Sequence, residues 1–318
     1  MKISGILALS LTGILHAEVL YETDFEAFSV GINQWSGTEG WISNDNTSGA
    51  QSIDGDLIPA LQKTASLGFN QPVGDLTFVA KPVNYDHVTA GAPIVKIDTL
   101  LGIEDSTNGR RDDFFLSVYN SAGNRLASIR FDNEDPTVDG TLFGFWRDDG
   151  LLQHDTILDF IHGELFNLFI TIDLENNVWS ADIDGNPLFE NAQFTATNNP
   201  VNLGLVSFEW DVDAPTPNQH GNNFLLVADL AITNSAVTTP PINVSYTVNE
   251  SDHITLSWQT AVGFVDQVQH SSDLITWQDT LPNSSFTGVS SATAVYFTDE
   301  SPDRGPTRFY RVRRSPAP

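Results

Sequence analysis

Three acidic side chains near the start of the chain have a spacing that suits glycoside hydrolysis. Glu22, Asp24 and Glu26 alternate along the sequence, so a strand would place their three carboxylates on one face. A retaining glycosidase needs two carboxyl groups about 5–5.5 Å apart, one as nucleophile and one as acid/base. Residues four apart in a strand are separated by about 13 Å at the backbone, so Glu22 and Glu26 would have to lean inward. Glu22 and Glu26 are therefore a candidate catalytic pair.

Two other segments combine a tryptophan with charged side chains, as sugar-binding surfaces do. Trp210 is followed by Asp211 and Asp213 at the start of a long polar loop, and Trp146 is followed by Arg147. Aromatic rings stack on sugars, while carboxylates and guanidinium groups bind their hydroxyls. The alternative is that both tryptophans pack in the core, where large aromatic side chains of a sandwich are mostly buried. These five residues form the candidate ligand-binding site.

The elements that must position these residues are strands. Apolar and polar side chains alternate over 165–174 and again over 178–184. Asp184-Gly185 predicts a two-residue hairpin turn, and a second hairpin is predicted over 113–131, turning at 121–124. Only 156–161 is compatible with one helical turn. Many short strands with regular turns indicate an all-β sandwich or jelly roll.

The N-terminus predicts export. Residues 1–17 have a basic start at Lys2, an apolar run from Ile6 to Leu15 and a small residue, Ala17, at the cleavage position. An uncleaved N-terminal anchor is the alternative. No later stretch is long and apolar enough to span a bilayer, so we expect no membrane insertion after signal cleavage.

A proline-bearing segment divides the remaining chain. We expect a β-domain over 18–235, a linker over 236–243 that contains Pro240-Pro241, and a small β-module over 244–318.

Composition excludes several classes of site and partner. The chain has no cysteine, so it has no disulfide, thiolate metal site or cysteine nucleophile. Its net charge of -27 argues against nucleic acid and anionic membranes as partners. The acidic surface suits either a salty medium or divalent-cation sites, because calcium prefers carboxylate oxygens. The oxygen-rich segment from Asp132 to Gly140 lacks the EF-hand spacing, which favours an ordinary polar turn there.

The two ends of the first domain resemble the jelly-roll domains of the concanavalin A-like and laminin-G-like kind found in secreted bacterial proteins. The resemblance rests on an opening and a closing pattern: Asp24-Phe25-Glu26 with Gly31 and Gly40-Trp41, and Val227-x-Asp229-x-x-Ile232. It implies that the first and last strands lie side by side. It also implies a structural calcium ion held by Glu26, Asp229 and, more weakly, Asp24.

The same resemblance bears on catalysis. The Glu22-x-Asp24-x-Glu26 pattern is similar to that of laminarinase-like glycosidases, which share the concanavalin A-like fold. In those enzymes the motif sits mid-chain on a central strand flanked by tryptophans, whereas here it begins about five residues after the predicted cleavage site. Position therefore favours the calcium role over catalysis.

The C-terminal module resembles a small fibronectin III-like or immunoglobulin-like β-sandwich. The resemblance rests on two segments: Val268-Gln269-x-Ser271-x-Asp273-Leu274-x-x-Trp277 and Phe309-Tyr310-Arg311-Val312. An aromatic residue common in such modules is replaced by Asp266. The resemblance implies a spacer or attachment unit.

Together these features predict an extracellular or cell-surface protein without catalytic activity. We expect its calcium-stabilised jelly roll to recognise a polysaccharide or cell-envelope glycan. The alternatives are a structural or adhesive envelope protein without a sugar pocket, and a glycoside hydrolase that uses Glu22 and Glu26.

Overall fold

A computed structural model describes residues 17–55, 57–58, 63–134, 142–236, 242, 244–248, 253–261, 264–273, 275–288, 294–300 and 308–316. Most of the predicted signal peptide and most of the predicted linker lie outside these residues. The described residues form two compact units, one within His16–Ala236 and the other within Val237–Pro318. None of the helices in the described ranges has the length and hydropathy needed to cross a membrane.

The described part of the first unit is almost entirely β-structure. In chain order its elements are β1 (Glu18–Thr23), β2 (Gly31–Ile32), β3 (Ile42–Ser43), β4 (Gln51–Asp54), β5 (Thr64–Gly68), β6 (Leu76–Tyr85), the short helix α1 (His87–Ala90), β7 (Ile94–Glu104), β8 (Asp113–Tyr119), β9 (Arg125–Asp132), β10 (Phe143–Asp148), β11 (Gln153–Phe160), β12 (Leu165–Asp173), β13 (Val178–Ile183), β14 (Asn186–Gln193), β15 (Leu203–Asp211) and β16 (Phe224–Ser235).

These strands form two antiparallel sheets. One has nine strands in the order β14-β13-β12-β7-β16-β5-β4-β2, with β1 also paired to β16, and the other has seven in the order β11-β10-β9-β8-β15-β6-β3. Their inner faces pack together, because the Phe166 ring of the nine-stranded sheet lies 5.7 Å from Phe145 and 6.3 Å from Phe131 of the seven-stranded sheet. The unit is thus a jelly-roll β-sandwich.

The first and last strands lie side by side. β1 pairs antiparallel with β16, from Glu18 opposite Asn234 to Thr23 opposite Leu230. The pairing predicted from the opening and closing patterns is therefore confirmed.

Alternating side chains place the core where the sequence predicts it. In β12 four apolar residues are buried on the inner face: Phe166, Leu168, Ile170 and Ile172. The predicted hairpin after β13 is also present, with Asp184 at φ 50° and Gly185 at φ 77° between the paired residues Ile183 and Asn186. Two successive positive φ values are the geometry of a type I′ turn. The helical turn considered at 156–161 is wrong, since 153–160 belongs to β11.

The described part of the C-terminal unit is a small β-structure of two three-stranded sheets, ordered β17-β18-β21 and β20-β19-β22. Its strands are β17 (Ser245–Val248), β18 (Ile254–Gln259), β19 (Phe264–Ser271), β20 (Ser285–Thr287), β21 (Ala294–Asp299) and β22 (Phe309–Pro316). Asp266, which replaces the expected aromatic residue, is buried and accepts hydrogen bonds from Trp258 Nε1 at 2.9 Å and Arg314 Nε at 2.6 Å. The assignment of the C-terminal unit to the fibronectin III family stays a prediction.

Replacement of Gly185 by alanine tests the type I′ turn. A side chain at φ 77° is strained, so we expect Gly185→Ala to lower the free energy of unfolding by about 1–2 kcal/mol in a urea titration. Gly74→Ala is the matched control, because a Cβ there would meet nothing within 4 Å. Equal losses in the two variants would contradict the assigned turn.

Candidate ligand-binding site

Three neighbouring strands of the seven-stranded sheet end in aspartates at the same edge. They are Asp132 of β9, Asp113 of β8 and Asp211 of β15, with Asp211 directly opposite Asp113. The adjacent residues Phe114, Phe131 and Trp210 are fully buried in the core. Because side chains alternate along a strand, the three aspartates lie on the outer face of the sheet, away from the core.

Arg130 is the cation at the centre of this row. Its Nε donates to Asp113 Oδ2 at 2.7 Å, and its Nη2 lies 3.7 Å from Asp132 Oδ1. Asp113 Oδ1 accepts the Asn133 N–H at 2.7 Å. Burial nevertheless raises the pKa of Asp113 to about 6, because desolvation outweighs the Asn133 hydrogen bond and the Arg130 charge.

A cleft of about 380 Å³ adjoins this row. Its walls come from three segments: the loop before β8, a single residue after β9 and the loop after β15. The lining residues are Gly109, Arg110, Arg111, Asp112, Glu134, Asp213, Ala214 and Gln219. The cleft therefore presents carboxyl, guanidinium and amide groups together.

Two carboxyl groups line the cleft, and they belong to Glu134 and Asp213. Partial burial and the nearby carboxylates of Asp113 and Asp213 raise the pKa of Glu134 to about 7, whereas Arg130 acts in the opposite direction. At neutral pH a substantial fraction of Glu134 is therefore protonated, and its carboxyl group can then donate as well as accept a hydrogen bond.

The loop between β15 and β16 is held in place by buried polar groups. Asp112 Oδ2 accepts the Gly221 N–H at 2.6 Å, and the Asn223 side chain bonds both backbone groups of Asp112, at 2.7 and 3.0 Å. Asn222 Oδ1 accepts the N–H groups of Thr107 and Asn108 at 2.8 and 3.1 Å. The two loops that border the cleft are thus bonded to each other.

The structure separates the five predicted ligand-binding residues. Asp213 lines the cleft and Asp211 is exposed on the outer face. Trp146 is half-buried, and its Nε1 donates to Asp132 Oδ2 at 3.1 Å. Arg147 instead donates to the Gln193 carbonyl at 3.2 Å beside β14, away from this row.

Trp210 belongs to the core. Its ring is 0% exposed and is stacked on Phe114, with 6.4 Å between ring centroids. It therefore cannot serve as a surface platform for a sugar, and the alternative of core packing is correct for this residue.

The predicted strand through Glu22, Asp24 and Glu26 is wrong beyond its first residue. β1 ends at Thr23, and Phe25 has a φ of 61° with its ring fully buried. Asp24 Oδ1 accepts the Glu26 N–H at 3.1 Å, which closes the turn. The three carboxylates do not share a strand face, so the alternative catalytic pair Glu22 and Glu26 loses the geometry that suggested it.

The residues predicted to hold calcium do not fit a side-chain metal site. Asp229 Oδ1 accepts the Leu100 N–H at 2.8 Å, where β16 bulges between Val227 and Asp229. Within the described ranges, no three His, Asp or Glu side chains gather in a way that could hold a metal ion, Asp24, Glu26 and Asp229 included. Asp229 instead satisfies a backbone group at a β-bulge.

Several residues of this site carry no direct signal in the sequence. Glu134 falls in the segment interpreted as a polar turn, and Arg110, Asp113 and Arg130 belong to no motif. A prediction of the strand register, which brings the ends of β9, β8 and β15 together, could have identified them. Glu209 also lies on this face, but it is 2% exposed and accepts the Tyr119 hydroxyl at 2.7 Å, so its carboxyl is closed off from a ligand.

Comparisons with known proteins add similarities at low identity. No family model and no curated protein matches the chain. It is similar to the carbohydrate recognition domain of Emp47p, with 13% identity and a TM-score of 0.42 over 71% of this chain and 99% of that one. It is similar to a GH131 β-glucanase catalytic domain from Podospora anserina, with 14% identity and a TM-score of 0.44 over 70% and 98%. Its similarity to a sialidase covers 64% of this chain and 18% of the sialidase, with 7% identity and a TM-score of 0.38. Scores this low assign neither a ligand nor a reaction to this chain.

Removal of the Arg130 charge tests the electrostatics of the row. In Arg130→Met the pKa of Asp113 rises further, because the buried carboxylate loses its cation. A carboxyl group whose pKa is higher in the folded than in the unfolded protein destabilises the fold as pH rises towards that pKa. We therefore expect the free energy of unfolding to fall by about 1–3 kcal/mol at pH ~8 and by less at pH ~5. Urea unfolding at both pH values measures this. Asp113→Asn in the same background should remove the pH dependence, and a pH-independent loss in Arg130→Met alone would refute the account.

Chelation tests the calcium prediction separately. Because Asp24, Glu26 and Asp229 do not gather as ligands, we expect the thermal unfolding midpoint of the full chain to be the same with and without excess chelator. A fall of several degrees on chelation, reversed by added calcium, would instead establish a structural calcium ion.

Proposed function

We propose that the first unit recognises a neutral glycan in the cleft, without cleaving it, as part of an exported protein. The observation that carries the proposal is the cleft of about 380 Å³ in which Asp213, Glu134, Arg110 and Gln219 face one space. A volume of this size lies within the range of small-molecule sites, roughly 300–1,000 Å³.

The chemistry of the cleft suits hydroxyl groups. Glu134, whose pKa is raised to about 7, can donate as well as accept, while the oxygens of Asp213 accept, Arg110 donates and the Gln219 amide can do either. A sugar hydroxyl also donates and accepts, so neighbouring hydroxyls can satisfy several of these groups at once. Trp146, half-buried on the same outer face and bonded to Asp132, is the candidate aromatic surface at the margin of the site.

Charge favours a neutral ligand. The carboxylates of the aspartate row repel an anionic polysaccharide, and the chain as a whole carries a net charge of -27. A structural or adhesive role without a sugar pocket is the alternative function, and it leaves the cleft empty.

A glycan array tests recognition. We expect the full chain to bind at least one neutral polysaccharide, and Asp213→Ala and Arg110→Ala to weaken that binding at least tenfold, about 1.4 kcal/mol, because each removes hydrogen bonds to the sugar. Titration calorimetry with the matching oligosaccharide gives the dissociation constants.

Asp98→Ala is the control for charge. Asp98 is exposed on β7 of the other sheet, so Asp98→Ala changes the net charge by the same amount as Asp213→Ala without altering the cleft. Absence of binding to every neutral glycan would favour the structural role, and equal weakening in all three variants would place binding elsewhere.

A further inference from the structure

Phe69 is the most exposed aromatic side chain among the described residues of the first unit. It lies between β5 and β6, and 51% of its surface is in solvent. Its ring meets the ring of Phe224 edge to face, with 5.8 Å between centroids and 90° between ring planes. A perpendicular contact covers at most one face of a ring, so Phe224 leaves a face of Phe69 uncovered.

The backbone at Phe69 is strained. Its φ is 69°, and the Asn70 N–H donates to the Gly68 carbonyl at 2.9 Å across it, which is the rare γ-turn with a positive φ at its centre. Phe25 has a similar φ of 61°, but its side chain is fully buried, and that burial compensates the strain. Half-exposed Phe69 lacks this compensation. Uncompensated strain of this kind is concentrated at binding sites, because it holds a side chain where a ligand needs it.

Two hydrogen bonds join this γ-turn segment to the loop between β15 and β16, which borders the cleft. The Phe69 N–H donates to the Asn223 carbonyl at 3.2 Å, and Gln71 Nε2 donates to the Pro215 carbonyl at 3.2 Å. These acceptors lie at the two ends of the loop, and Pro215 directly follows Ala214, which lines the cleft. The same loop therefore borders the cleft and positions the ring of Phe69.

The chemistry at Phe69 suits the apolar face of a sugar ring. A pyranose presents C–H groups on its face and hydroxyls around its rim. The C–H groups carry partial positive charge and pack against the negative face of an aromatic ring, while the hydroxyls stay in solvent. A second copy of this chain is a poor occupant, because a net charge of -27 makes two copies repel each other.

We propose that Phe69 is the stacking surface of a second sugar subsite. A neutral glycan with one sugar in the cleft places a further sugar of the same chain on the ring. The subsite rests on the proposed function and deepens it, since it makes the ligand an oligosaccharide rather than a single sugar. The γ-turn holds the ring in place before the ligand arrives, which reduces the cost of ordering it on binding.

A length series of oligosaccharides tests the subsite. The full chain is titrated by calorimetry with mono- to hexasaccharides of glucose, mannose and xylose. We expect Phe69→Leu to weaken hexasaccharide binding about three- to tenfold, because it keeps an apolar side chain but removes the aromatic face. Sugars short enough to occupy only the cleft should bind Phe69→Leu and the unchanged protein equally. Phe69→Tyr keeps the aromatic face and should retain the hexasaccharide affinity.

Val73→Ala is the matched control. Val73 is 63% exposed on the same loop and offers apolar surface without an aromatic face, so its loss should leave hexasaccharide affinity unchanged. Equal affinities in Phe69→Leu and Val73→Ala, or equal losses in Phe69→Leu and Phe69→Tyr, would overturn the subsite. Binding that still depends on Asp213 in that case leaves the cleft as the glycan site. Binding that depends on Phe69 but not on Asp213 keeps the ring and refutes the cleft, and no binding of any oligosaccharide refutes both.

NMR of the protein with ¹³C-labelled phenylalanine gives a readout that does not depend on the stability of a variant. The Phe69 ring signal, assigned by its absence in Phe69→Tyr, should shift on addition of the hexasaccharide that binds and not on addition of the corresponding monosaccharide. A ring signal that the bound hexasaccharide leaves unmoved would also overturn the subsite.

Discussion

The register of β9, β8 and β15 determines where charge gathers on this molecule. Because Asp211 lies opposite Asp113 and the Phe114–Phe131 pair places Asp132 beside Asp113, three carboxylates share one outer edge. Hydrophobic alternation fixes this register, since a shift by one residue would turn the core side chains outward. One arginine, Arg130, compensates part of the charge, and burial raises the pKa of Asp113. The chemistry of the cleft is therefore a consequence of how the core packs.

The loops around the cleft are ordered by side chains that bond backbone groups. Asp112, Asn222 and Asn223 together accept or donate most of the hydrogen bonds between the two loops that border the cleft. Polar groups buried in this way must be satisfied, so the cost of displacing either loop is high.

Local signals made the sandwich predictable, and long-range contacts made the site unpredictable. The alternation in β12 and the Asp184-Gly185 turn need only neighbouring residues, and both are present in the structure. The strand through Asp24 fails because Phe25 enters the core, where it packs 5.2 Å from Phe28, between ring centroids; that burial outweighs the strain of a positive φ. The role of Asp229 was likewise not predictable. A bulge in β16 places its carboxylate beside a backbone N–H group, and no sequence pattern indicates that bulge.

Strand parity explains why the tryptophans behave differently. Trp210 shares the inner face of β15 with Phe208, whereas Trp146 pairs with Arg130 on the outer face. Adjacent positions in a strand point to opposite faces, so the acidic neighbours of a buried aromatic residue are carried to the surface. The segment around Trp210 therefore still contributes to the cleft, through Asp213 rather than through its ring. An aromatic residue followed by acids in a sandwich strand can thus indicate where a polar site lies even when the ring never meets the ligand.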